Sequence, residues 1–127
     1  FTEFDYPNFF DFHTKNNNFL SLICRKNIEI KTSFKFSLDI DSKISFSTND
    51  IMINAGVYLI KNNVINKFLK LNKNFLSFEN DILIPLIKDE KVYGYEQDSF
   101  FIDIGTPVDY KKSQYLLPEH FKKSLDL

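Results

Sequence analysis

Phe100–Tyr110 reads FFIDIGTPVDY, and this stretch decides the fold. Phe100 to Ile104 is an apolar run of strand character that carries one carboxylate, Asp103. Ile102 and Ile104 flank it, which predicts a buried face for the isoleucines and the opposite face for the acid. Gly105 follows as a turn. Thr106, Pro107 and Asp109 then spell a helix start: a hydroxyl at the N-cap, a proline where a missing N–H costs nothing, and an acid at the third helical position. Acidic groups exposed at the carboxyl end of a strand are where α/β proteins hold metals and phosphates. Mg2+ takes one or two carboxylates and fills its other positions with substrate oxygens and water. The plainer alternative is an Asp that only caps the turn, and spacing alone leaves both open.

Upstream, the pattern is strand and helix in turn. Pro7–Lys15 has helical spacing, with Phe9, Phe10 and His13 on one face and Asn16–Asn18 ending it. Phe19–Cys24 is almost continuously apolar, as expected of a strand covered on both faces. Phe34, Phe36 and Leu38 alternate with Lys35 and Ser37, Asp39–Lys43 makes a turn, and Ile44–Ser47 returns, a hairpin. Ile51–Ile60 is a further strand interrupted by Asn54, Ala55 and Gly56, small residues of the kind that let a ligand or another backbone come close. Lys61–Lys70 is a helix with Val64, Ile65, Phe68 and Leu69 inward. Ser77–Asp89 is another, with Ser77 as N-cap, Glu79 and Asp81 in the first turn, and Pro85 kinking or restarting it. Lys91–Glu96 and Ser99–Ile104 read as strands, and Pro118 opens a polar tail with one terminal helical turn. The expected class is α/β, a mixed sheet flanked by helices.

Composition excludes several functions. Sixteen basic residues balance seventeen acidic ones, for a net charge of −1, and Arg25 is the single arginine. A dedicated nucleic-acid binder carries a basic excess, so no nucleic-acid partner is expected. Cys24 is the only cysteine, which leaves neither an internal disulfide nor a zinc cluster and reads as a small buried hydrophobe. No apolar run approaches the ~18 residues of a membrane span, so no membrane partner is expected and a cytoplasmic setting is. His13 and His120 have no partner at catalytic spacing and read as structural or solvated. At 127 residues the chain holds one core.

Four segments in order resemble the sugar-1-phosphate nucleotidyltransferases, and among these the mannose- and heptose-1-phosphate guanylyltransferases. F-I-D-I-G-T-P-V-D-Y is similar to the motif near the end of that family. N-A-G-V-Y-L-I, Asn54 to Ile60, resembles its sugar-pocket strand. F-L-S-F-E-N-D-I-L-I-P-L-I, Phe75 to Ile87, resembles its F-S-x-E-x-D-x-x-P-x-L-I helix, and K-V-Y-G-Y, Lys91 to Tyr95, completes the order. The likeness is strong from Asn54 to Tyr115, roughly half the chain, and weaker from Phe1 to Ser47. It implies the carboxyl half of a Rossmann-like nucleotidyltransferase domain, with a nucleoside triphosphate and a sugar 1-phosphate as partners, Mg2+ as cofactor, a nucleotide-sugar and pyrophosphate as products, and bacterial surface glycans as destination. Homo-oligomers are compatible with it. It further implies that Asp103 is a catalytic carboxylate on the metal, and that Asn54, Ala55, Gly56, Glu79 and Asp81 bind substrate.

The departures matter equally. The family's Gly-rich, Arg-containing nucleotide loop, G-G-x-G-T-R-L, and the Gly-Asp strand end that supplies the second metal carboxylate do not occur in these 127 residues. The F-x-E-K-P segment is replaced by Phe46–Asp50, and the Tyr-Gly pair before the hairpin by Phe34–Lys35. The expectation is a partial domain, covering residues 1–127, with no transfer activity by itself. The competing expectation is a non-catalytic sugar-binding or assembly module that keeps the scaffold. By sequence alone, Glu79 and Asp81 are better explained as acids favoured by a helix dipole, with no ligand required.

Overall fold

The computed structural model describes residues 2–26, 35–47, 52–70, 75–102 and 104–125. Their contacts divide into two units, Phe4–Asp98 and Phe1–Glu3 with Ser99–Leu127.

In the first unit, helix α1 (Tyr6–Lys15) precedes β1 (Leu20–Lys26), the hairpin β2 (Phe36–Leu38) and β3 (Ile44–Phe46), and β4 (Met52–Ile60). Helix α2 (Asn62–Leu69), a π-helical turn (Phe78–Leu83), α3 (Ile84–Lys88) and β5 (Val92–Glu96) follow. The sheet is mixed, in the order β3-β2-β4-β1-β5, with β1 antiparallel to β4 and parallel to β5. The expected α/β class is the observed one. Phe34, Asp50 and Ile51 lie outside the described residues.

Strand β1 is buried from Leu20 to Cys24, and its alternation explains the two covered faces. Leu20, Leu22 and Cys24 join Val64 of α2, Ile82 and Leu83 of the π turn, Leu86 and Ile87 of α3, and Val92 of β5. Ser21 points the other way and meets His13 of α1 at 2.9 Å. The hairpin folds across the first of these faces. Among the described residues it pairs with β4 at Phe36↔Met52, buries Phe36 and Ile44 in the core, and brings its turn to β5, where Gly94 N donates to Ser42 O at 2.8 Å.

Three expectations in this unit change. Phe9 and His13, four residues apart, are buried, whereas Phe10 is exposed and stacks with Tyr6; Asp5 caps this helix by accepting from Asn8 N. Leu69, expected inward with Val64 and Phe68, is exposed at the end of α2. The single helix expected over Ser77–Asp89 is a π turn followed by a short α segment. Pro85 has no N–H to give to the Asp81 carbonyl and its ring crowds that carbonyl, so the chain widens by one residue and Ile84 N bonds to Glu79 O instead.

His13 defines a pH dependence. Ser21 Oγ accepts from Asn18 Nδ2 at 3.0 Å and is hydrogen-bonded to His13 Nδ1 at 2.9 Å, which places the ring in a buried polar cluster. Burial first, and the Lys61 charge second, hold the imidazole below its ordinary value of 6.5. Above that value both folded and unfolded chains are neutral at this site. As pH falls through it, the unfolded chain takes up a proton that the folded one refuses, and stability drops until the lowered folded value is reached. Melting followed by circular dichroism is expected to show a melting temperature that falls from pH 7.5 to 5.5, and His13→Gln should flatten this part of the profile. Cys24 is chemically quiet: burial, then the Glu96 charge, push its thiol up to about 12.

The second unit is built on Thr2–Glu3 and the residues after Ser99. The strand expected over Ser99–Ile104 is here a single antiparallel bridge, Thr2↔Phe101, with Glu3 N donating to Phe100 O at 3.0 Å. Its described partner is too short to make a ladder. Ile102 is buried but Ile104 is exposed, so the two isoleucines do not share the buried face expected of them. The helix start is as expected: Asp109 N donates to Thr106 Oγ1 at 3.1 Å, and Thr106 Oγ1 donates to Asp109 Oδ2 at 2.7 Å. Helix α4 then runs Pro107–Leu125 without stopping at Pro118. The missing N–H of Pro118 leaves only the Gln114 carbonyl unserved, and Gln114 is exposed to water. His120 stacks on Phe100 at 4.0 Å and bonds Glu3 Oε1 at 2.8 Å, a structural role.

No helix among the described residues is long and apolar enough to cross a membrane.

Candidate functional site

The site is built around an irregularity in β4. Between Leu22 and Cys24, β1 advances by two residues, while their β4 partners, Tyr58 and Asn54, are four apart. The surplus residues bulge, and Gly56 takes a φ of +78°, which side chains on L-residues resist. A Cβ placed on Gly56 would meet nothing within 4 Å. The glycine is therefore required by its backbone angle, and the backbone there faces open space.

Asn54 anchors the bulge. Its Oδ1 accepts from Gly56 N at 2.9 Å, and its Nδ2 donates to the Tyr58 hydroxyl. One N–H and one acceptor lone pair of the amide remain for a ligand. The Tyr58 ring packs on Phe78, centroids 4.7 Å apart, at the opening of the π turn. Glu79 follows Phe78 and is exposed. Burial, and after it the Glu79 charge, raise the Tyr58 hydroxyl above its ordinary value of 10, while the Asn54 bond opposes them. Tyr58 thus stays protonated at neutral pH.

The expected residues divide accordingly. Asn54 is bonded to Gly56 and to Tyr58, whose ring packs on Phe78, the residue before the exposed Glu79, and Ala55 is the half-buried residue between Asn54 and Gly56. Asp81 is turned to the chain itself: its Oδ2 accepts from Ser77 N at 2.8 Å, while Ser77 Oγ accepts from Asn80 N at 3.2 Å. This reciprocal cap has the logic of a capping box. Asp103 lies outside the described residues. Among the described residues no group of three or more His, Cys, Asp or Glu side chains is disposed to hold a metal ion.

Tyr58 was not singled out by the sequence, although a signal was present. It stands four residues after Asn54 in a strand, so both side chains emerge on one face.

No family model matches the chain. Over 62 residues it is 47% identical to the D-glycero-alpha-D-manno-heptose 1-phosphate guanylyltransferase of Aneurinibacillus thermoaerophilus, a match covering 49% of this chain and 26% of that protein. Over 60 residues it is 37% identical to the mannose-1-phosphate guanylyltransferase of Mycobacterium tuberculosis, covering 46% and 16%. In structure it resembles HddC from Yersinia pseudotuberculosis, with a TM-score of 0.66 at 22% identity over 88% of this chain and 49% of HddC; HddC is also known in complex with GMP-PN. The chain is thus partially homologous to mannose- and heptose-1-phosphate guanylyltransferases, and it has the fold of about half of a sugar nucleotidyltransferase.

Proposed function

We propose that this chain is the sugar-binding, carboxyl-terminal half of a cytoplasmic sugar-1-phosphate guanylyltransferase that acts on a mannose- or heptose-type sugar 1-phosphate. What supports this reading is the contact chain Asn54–Tyr58–Phe78, which sets the polar bulge of β4 beside the acidic start of the π turn. The homology gives that arrangement a substrate class.

In the proposed reaction a phosphate oxygen of the sugar 1-phosphate attacks the α-phosphorus of GTP, and pyrophosphate leaves. Mg2+, when bound, would neutralise charge on the phosphates, and Asp103 is the carboxylate of this chain that would hold it. Glu79 accepts from two adjacent sugar hydroxyls, work that suits a carboxylate because each oxygen takes one. The free N–H of Asn54 donates to a sugar oxygen. The open backbone at Gly56 lets the ring approach without meeting a side chain. Asp81 keeps the turn that presents Glu79.

Binding of mannose 1-phosphate and D-glycero-alpha-D-manno-heptose 1-phosphate, followed by calorimetry, tests this. Hydrogen bonds to a charged group contribute about 1.5–3 kcal/mol. Glu79→Gln is therefore expected to weaken binding about 10- to 100-fold, with an unchanged melting temperature because Glu79 is exposed. Equal affinity of the variant and the parent would remove Glu79 from the site.

A further inference from the structure

We infer that Tyr58 is a positioning residue of this site, holding the Asn54 amide in the orientation that the sugar phosphate meets; the inference rests on the reading above.

An asparagine amide has two orientations of nearly equal shape, and its neighbours choose between them. Here both ends are chosen. Gly56 N–H calls for an oxygen on one side, and the Tyr58 hydroxyl oxygen calls for a donor on the other. The first of these comes from a backbone group in a bulge that faces open space. The second comes from a ring that is clamped between β4 and the π turn by Phe78. The rigid member of the pair is thus Tyr58.

Counting donors gives the consequence. The hydroxyl spends a lone pair on Asn54 and keeps its own proton. Tyr58 therefore ties the Asn54 amide to Phe78, the residue that precedes Glu79 in the π turn. Removing only the hydroxyl leaves the ring on Phe78 and the core beneath it. It frees one amide hydrogen of Asn54 and lets the bulge relax. A hydrogen bond of this type is worth about 0.5–1.5 kcal/mol, a change of about 2- to 13-fold in affinity.

The experiment compares the 15N-labelled protein with its Tyr58→Phe variant, each titrated with mannose 1-phosphate. Before sugar is added, the Asn54 side-chain amide pair and the Gly56 amide should shift in the variant, while the resonances of α1 stay in place. On titration the variant should bind 2- to 13-fold more weakly, and the same two resonances should report it. An Asn54 amide that does not respond to loss of the hydroxyl overturns the role of Tyr58. So does equal affinity of the two proteins in a titration where Asn54 and Gly56 move. A parent protein whose Asn54, Gly56 and Glu79 signals ignore the sugar phosphate overturns the sugar-site reading itself, and the inference with it.

Discussion

Asp103→Asn, in a protein that carries both halves of the fold, is expected to turn over about a hundredfold or more slowly than its parent, with the same melting temperature. Transfer of a nucleotidyl group depends on groups that neutralise charge as it develops, and removing one such contact typically costs about 10²–10³ in rate. The substitution deletes a charge and keeps the shape, so a hard cation loses its ligand while the chain loses little. The helix beyond it does not depend on Asp103, because Thr106 and Asp109 cap each other and Tyr110 N bonds Thr106 O at 2.9 Å. Pyrophosphate release at saturating Mg2+ is the assay, with a melting curve as control. A variant that melts normally and turns over at the parent rate would make Asp103 a turn residue.

The second large effect is on stability. Gly94 sits in β5 under the hairpin, where a Cβ would overlap Leu38 Cδ2 and press on Cys24 Sγ at 3.0 Å and Ile44 Cδ1 at 3.4 Å. Its φ is not the reason for glycine; the space is. Gly94→Val adds three carbons to a filled core, and overpacking of this kind costs about 1–3 kcal/mol. Among the described residues the hairpin meets β4 at Phe36↔Met52 and β5 at Lys43↔Tyr93 and through the Gly94 N to Ser42 O bond, so the packing at Gly94 lies where the hairpin joins β5. We expect Gly94→Val at the upper end of that range, a fall in melting temperature of roughly ten degrees or more, and a smaller fall for Gly94→Ala, where Leu38 has a flexible end to yield. A valine variant that melts within about two degrees of the parent would show that the hairpin is not packed as described.

Much of this fold was legible in the residues. The unbroken apolar run at Phe19–Cys24 pointed to a strand covered on both faces, and Leu20–Cys24 are buried from both sides. The Asn54–Ala55–Gly56 interruption pointed to a close approach; β4 instead bulges there, with nothing within 4 Å of a Cβ placed on Gly56. The Thr106–Asp109 pair marked a helix start and is one. What stayed hidden depends on partners that periodicity cannot name. Pro85 announced a break, but the widening of Phe78–Leu83 into a π turn depends on which carbonyl the neighbouring N–H reaches. Ser99–Ile104 has the composition of a strand but pairs, among the described residues, only through Thr2–Glu3. Pro118 reads as a stop because an unserved carbonyl is costly when buried, and Gln114 is not buried. In the proposed site, Asn54 and Glu79 were visible as polar residues embedded in apolar elements. Tyr58 was not, because a tyrosine in a strand is ordinary until its hydroxyl is seen to meet an amide.

The most direct measurement is a crystal structure of the protein soaked with mannose 1-phosphate. The account predicts the sugar ring over Gly56, with hydroxyls within hydrogen-bond distance of the Glu79 carboxylate and of Asn54 Nδ2. Density for the sugar on the α1 face of the sheet, or none near Asn54 and Glu79 at saturating ligand, would contradict it.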